Sequence, residues 1–267
     1  MRFLLVLIFF FSVTFCGNAQ PDPAFGKIVY NFSQMRDTNN PSHFYKEEMM
    51  LLFSHNSSMY KSYTRIKQDS IREDRINEAQ LNGSNEVNMG VFVPTNREQL
   101  FTFKNLNNRY VEMEFANNKY LITQPLEKIN WQIKKDTKKI AGYSCQKAAC
   151  KFKGRNYTAW FSTEIPVSFG PWKLQGLPGL ILEAYDDKKQ VNFMCETIVL
   201  NEKTTSISLP ADATKTNMDN YNRMVKAYTD NPNSADYNGI KISVDPSTRI
   251  SQQKKFKINN PIELDDK

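Results

Sequence analysis

The chain has 267 residues, enough for one large domain or two small ones, and it is 40% hydrophobic and 12% aromatic with a formal charge of +7. The basic excess is scattered: its densest runs, Lys134 to Lys139 and Lys254 to Lys257, are short, so a concentrated basic face for nucleic acid is not expected. Two histidines, His43 and His55, and no close cysteine pair give no metal-ligand spacing, and there is no phosphate-cradling glycine loop or dinucleotide fingerprint, so neither metal nor cofactor is expected.

In chain order, the first element is a secretory leader. Arg2 supplies the positive end, Phe3 to Phe15 form an apolar run, and Gly17-Asn18-Ala19 places small residues at a cleavage site. The run is shorter than the ~20 residues of a typical membrane-spanning helix, and no later segment approaches that length. Phe15, directly before Cys16, is bulkier than lipoprotein processing accepts. The expectation is a leader over 1–19, export to the periplasm or outer membrane or beyond, and a single β-rich domain over 20–267. Oligomeric state is left open.

Lys27 to Phe32, Met49 to Phe53 and Ser58 to Tyr63 read as strands, the second apolar on both faces. Residues 66–90 are polar, with Ile66, Ile71 and Ile76 spaced by five. That fits neither the 3.6-residue nor the 2-residue period, and the stretch is expected to be a mobile excursion rather than a helix. Leu100 to Phe103, Tyr110 to Phe115 and Lys119 to Ile122 read as an antiparallel meander with asparagine turns. Trp131-Gln132-Ile133 precedes a charged turn. Tyr143 to Lys151 and Tyr157 to Phe161 flank a tight connection at Lys153-Gly154-Arg155. Leu180 to Tyr185 and Val191 to Thr197 form a last hairpin, and Asp219 to Tyr228 is helical, with Tyr221, Met224, Val225 and Tyr228 on one side. The tail from Pro246 is polar.

Cys145 and Cys150, five residues apart in one extended run, point to opposite faces and cannot pair; Cys195 could pair with either. The fold class is therefore mostly β: an antiparallel curved sheet or half-open barrel with one or two helices, similar by analogy to lipoprotein carriers.

The loop from Gly170 to Gly179 is the most distinctive stretch. Pro178 fixes φ near about −65°, and Gly179 is expected to take the positive φ of a type II turn. Leu177, Leu180 and Ile181 would then cap the open end of the sheet. The alternative makes the loop a docking surface: Arg155, Trp160, Glu164, Trp172, Lys173, Leu177, Pro178 and Gly179 are the candidate binding residues. Arg155 with Glu164 would equally serve as an ion pair pinning the loop. No catalytic residue is assigned, although Glu183 is a candidate acid if it faces inward.

Gly142 to Ala148, Gly154 to Phe161, Glu164-Ile165-Pro166, Gly170-Pro171 and the hexapeptide Gly176 to Ile181 carry a family resemblance, as does the closing Asn259 to Leu264. On these residues the chain is identified as a member of the GLPGLI family of exported Gram-negative bacterial proteins. The resemblance implies an envelope location and carries no reaction with it. The functional expectation is a non-enzymatic binding or carrier module for an apolar, lipid-like ligand. Its alternative is an accessory protein docking onto an outer-membrane partner such as a transport receptor, with a hydrolase a distant third.

Overall fold

Period-two alternation runs through most of the chain, and the computed structural model shows what it builds. It describes residues 22–84, 86–201, 205–230, 236–237, 240–241 and 258–264. The leader expected over 1–19 and the tail residues 246–257 lie outside the described residues.

In chain order the elements are β1 (Asp22–Pro23), β2 (Gly26–Gln34), β3 (Tyr45–Phe53), β4 (Ser57–Ser62) and helix α1 (Tyr63–Leu81). A meander follows in β5 (Gln99–Phe103), β6 (Asn108–Phe115) and β7 (Asn118–Pro125). Then come β8 (Gln132–Ile140), β9 (Tyr143–Phe152), β10 (Arg155–Ser162), β11 (Leu180–Asp186) and β12 (Val191–Leu200). The short β13 (Ser206–Ile207) and β14 (Thr214–Thr216) precede helix α2 (Met218–Asp230).

Twelve strands form one sheet in the order β14-β7-β6-β5-β4-β3-β2-β12-β11-β10-β9-β8. Every pairing is antiparallel except β14 with β7, and the ends do not meet, so the curved sheet stays open and no barrel closes. Bulges between Trp160 and Phe161, Cys195 and Thr197, and Ile133 and Thr137 bend the strands and deepen the curl.

The sheet separates two cores. The larger lies on the concave face and draws on Ile28, Tyr30, Met49, Leu51, Phe161 and Phe193, among others. The smaller, behind it, collects Met50, Leu52, Met59, Phe101, Phe103 and Ile207. β3 feeds both cores with alternate residues, which is why its sequence is apolar on both faces. The segment between β10 and β11 folds into the larger core, burying Ile165, Val167, Phe169, Leu174 and Leu177. Its backbone is tied to itself by Gly176 N to Ser168 O at 2.9 Å and by Ile181 N to Phe169 O at 3.0 Å.

Three expectations need correction. Residues 63–81 form an α-helix of nineteen residues instead of a mobile excursion. None of its residues is buried, so there is no apolar stripe for periodicity to detect. What starts the helix is a cap: the Ser62 hydroxyl accepts from Arg65 N at 2.9 Å. Salt bridges anchor its first turns to the sheet, Arg65 to Glu114 at 2.8 Å and Lys67 to Glu48. Since a polar helix has little else to hold it, Ser62→Ala is expected to cost about 1 kcal/mol, and faster amide exchange over residues 64–67 would show it. Second, the lysine-rich stretch 134–139 is no turn but part of the edge strand β8, where lysines on both faces discourage strand addition. Third, Gly179 does not have positive φ; the glycine in that conformation within the loop is Gly176, at φ 92°.

The α2 expectation holds. Tyr221 is buried, and Met224 and Val225 pack against the larger core. The side chain of Tyr228 lies outside the described residues. Cys145, Cys150 and Cys195 are all free thiols, and burial raises each pKa, to about 11, about 12 and about 11. No described helix is long and apolar enough to cross a membrane.

Candidate functional site

The concave face carries a run of connected clefts. At its centre is a cavity of about 250 Å³ whose walls include Phe32 of β2, Tyr60 of β4, Trp172 of the β10–β11 segment and Phe193 of β12. Asn96 and Glu98, just before β5, form its polar rim. Past Glu98 it continues into a cleft of about 340 Å³ walled by Glu127, Lys153, Lys173 and Glu263 over a floor of Leu100 and Val111. On the other side Arg36 and Ile258 lead into a third cavity, of about 410 Å³, beside His43, Phe44 and Tyr45. A smaller charged cavity of about 220 Å³ beside α1 shares Asn96 and Glu98.

The C-terminal segment 258–264 lines three of these four: Ile258, Pro261 and Ile262 face the central cavity, Ile258 the third and Glu263 the 340 Å³ cleft. Arg155 holds that segment in place. Its guanidinium is buried and donates to Asp186 Oδ2 at 2.9 Å, Asn260 Oδ1 at 2.7 Å, Pro261 O at 2.6 Å and Ile262 O at 3.0 Å. Asn260 is itself buried, reaching Met35 O at 2.6 Å and accepting from Gln34 Nε2 through its carbonyl at 2.9 Å. Asp186 completes the network by accepting from Gln190 N and Val191 N.

Charge in the 340 Å³ cleft is mostly compensated internally. Lys153 pairs with Glu127 at 2.8 Å, and Lys173 pairs with Glu263. Beneath them Arg109 is fully buried; it donates to Lys173 O at 3.1 Å, while its Nε has no partner among the described residues. Burial lowers its pKa to about 10, against the opposing pull of Glu127 and Glu263. Glu98 differs from the other carboxylates: it forms no hydrogen bond or ion pair through its carboxylate with the described residues. The walls around it raise its pKa, Lys173 pulls it down and Glu263 pushes it up.

The sequence-derived candidates divide into three groups. Arg155, Trp172 and Lys173 gather around residues 258–264. Trp172 sits at φ 54° with its ring against Phe152 at 5.8 Å and Tyr157 at 6.3 Å, half-buried in the cavity wall instead of crowning a loop. Trp160 and Glu164 lie apart, against β8 and β9. Lys138 sits over the Trp160 ring at 4.5 Å, and the Glu164 carboxylate accepts from Ser144 N at 2.7 Å. The expected Arg155–Glu164 pair is therefore replaced by Arg155–Asp186. Leu177 and Gly179 are buried in the core, while Pro178 is exposed. Glu183 faces away from the cleft and pairs with Lys138 at 2.7 Å. Sequence reasoning missed Asn96, Glu98, Arg109, Glu127 and the cleft role of Glu263. They come from distant parts of the chain, and only the closing Asn259 to Leu264 was singled out beforehand. Among the described residues no group of His, Cys, Asp and Glu could hold a metal ion.

A family model described as "N-glycanase peptide, N-terminal domain" matches residues 54–230, the greater part of the chain. Two solved structures of PNGF-II are similar, one in the P21 space group (TM-score 0.49, 14% identity, 76% of this chain and 33% of that chain) and one in C2 (0.48, 13%, 75% and 33%). The chain thus spans about a third of the length of those proteins. No curated protein matches it. The family match overturns the GLPGLI assignment: it takes in residues 142–181, which carried most of that resemblance, and nothing points to the GLPGLI family. Those residues are largely packing residues of the hairpin and core segment, and packing alone does not define a family. The same match overturns the lipid-carrier reading.

Proposed function

The chain belongs to the N-glycanase N-terminal domain family, and from that membership we propose that it is an accessory domain in N-glycan removal, engaging the glycoprotein on its concave face. The observation that carries this is the chemistry of the clefts. Their walls present Glu98, Asn96, Gln34, Arg36 and the paired lysines and carboxylates, not an unbroken apolar lining. Such a surface suits a ligand rich in hydroxyl and amide groups and would be costly to cover with an acyl chain, since buried polar groups must find partners. Hydrolysis itself is not assigned to these residues. The partner is a glycan-cleaving catalytic unit, and the setting is outside the cytoplasm, in keeping with the leader-like first nineteen residues.

The test is capture of an N-glycosylated protein by the immobilised full chain, before and after the glycans are removed. Retention of the glycosylated form, and loss of retention once the glycans are gone, is the expected result. Equal retention of both forms would defeat the proposal.

A further inference from the structure

We propose that the 250 Å³ cavity is a binding site for a neutral sugar ring, with Trp172 as its stacking platform and Glu98 as its charged acceptor. This rests on the reading above and specifies the ligand of the same face.

Three observations support it. The first is the platform. Trp172 is a non-glycine residue at φ 54°, a strained conformation that persists where surrounding structure enforces it. Enforcement is visible: Phe152 and Tyr157 brace one part of the ring, Pro171 and Leu174 beside it in sequence are buried, and the rest of the indole faces the cavity. The lining also includes Phe32, which is backed by the buried Phe193 at 4.9 Å with 23° between their planes. The C–H face of a pyranose gains from such flat apolar walls, and a braced ring loses no rotamer freedom on binding.

The second observation is the rim. A sugar ring is apolar on its faces and polar at its edge, so its site needs hydrogen-bonding groups in the plane between the platforms. Glu98 lines the cavity with its carboxylate unpartnered among the described residues, and Asn96 beside it uses its side-chain oxygen for Glu98 N at 3.0 Å, which fixes the rim backbone. A carboxylate accepts up to two neighbouring hydroxyls, and bonds to an ionised acceptor are the stronger kind.

Size and charge make up the third. At about 250 Å³ the cavity lies below the ~300–1,000 Å³ of drug-sized sites, which limits it to a single ring. The adjoining 340 Å³ cleft beyond Glu98 takes the next unit of a chain. There Lys153 pairs with Glu127 and Lys173 with Glu263, while in the central cavity the lining carries Glu98 and Arg36, one charge of each sign. A lining with no net charge suits a neutral ring.

The experiment titrates the full chain with two peptide-free probes, N,N′-diacetylchitobiose and a neutral oligomannose glycan, followed by tryptophan fluorescence and calorimetry. Wild type is expected to bind at least one. Glu98→Gln, at an exposed position where folding is not at risk, is expected to weaken binding about tenfold or more, the loss typical of a hydrogen bond to a charged group. Trp172→Phe is expected to retain part of the affinity and to lose the fluorescence change. Undiminished binding in both variants would overturn the ring site while glycoprotein capture by wild type still upheld the broader reading. Capture of the glycoprotein with no binding of either free glycan would also overturn it. Failure of capture itself would remove both.

Discussion

Arg155→Met is expected to destabilise the protein by about 3–5 kcal/mol, the cost of leaving one member of a buried ion pair without its partner. The side chains of Arg155 and Asp186 are 2% and 1% exposed, so water cannot take over the lost interaction. Asp186 would be left with only the backbone donors of Gln190 and Val191. The C-terminal segment would lose its bonds from Arg155 at Asn260, Pro261 and Ile262 at once. For a chain of this size the loss corresponds to a fall in melting temperature of roughly 10 °C or more. Removing both charges as Arg155→Met with Asp186→Leu should recover part of the loss, because the desolvation penalty of the orphaned carboxylate disappears. Asn260→Ala alone should cost less, since the ion pair survives. An unchanged melting temperature in Arg155→Met would show that residues 258–264 are not held as described, and the cleft wall they form would go with them.

The placement of Arg155 also shows what can and cannot be seen in one-dimensional sequence. Its hairpin was legible: Lys153 and Gly154 both take positive φ, at 47° and 70°, in the tight turn that the spacing suggested. So were the meander and β3, where burial on one face or both writes itself into the alternation of side chains. Helix α1 was not, because periodicity reports burial and α1 buries nothing. Its signal lay in Ser62 as a cap and in a run of good helix formers, such as Arg65, Lys67, Gln68 and Glu78. The edge strand β8 was missed for the same reason, with lysines where an inner strand would alternate. The cleft was beyond reach for a different one. Glu98, Trp172 and Glu263 meet only because twelve strands curl around them, and no local pattern distinguishes an unpaired Glu98 from the paired Glu127 or Glu263. The family assignment failed through over-reading short matches in packing residues. Arg155, the most constrained candidate, serves the site at one remove, by holding its wall.

Gly179→Ala is expected to cost about 3 kcal/mol, at the upper end of ordinary overpacking. An added Cβ would lie 2.1 Å from Ser162 O, 2.5 Å from Ser162 C and 2.8 Å from Thr163 N. All three are backbone atoms, so no side chain can swing aside to make room. Relief would have to come from moving β10 away from β11 where Ser162 faces Leu180, or from lifting the core segment that Leu180 N ties to Ile165 O at 3.0 Å. Either movement disturbs Leu180, Ile181 and Leu182, which are fully buried. The glycine at 179 is thus demanded by close approach, whereas at Gly176 it is demanded by φ 92°, with open space where a Cβ would stand. Asparagine separates the two causes because it tolerates left-handed backbone better than other side chains but needs the same room. Gly176→Asn should therefore melt close to wild type, while Gly179→Asn should be at least as damaged as Gly179→Ala. The reverse order would restore the turn geometry that the Pro178-Gly179 pair suggests and remove crowding as the explanation.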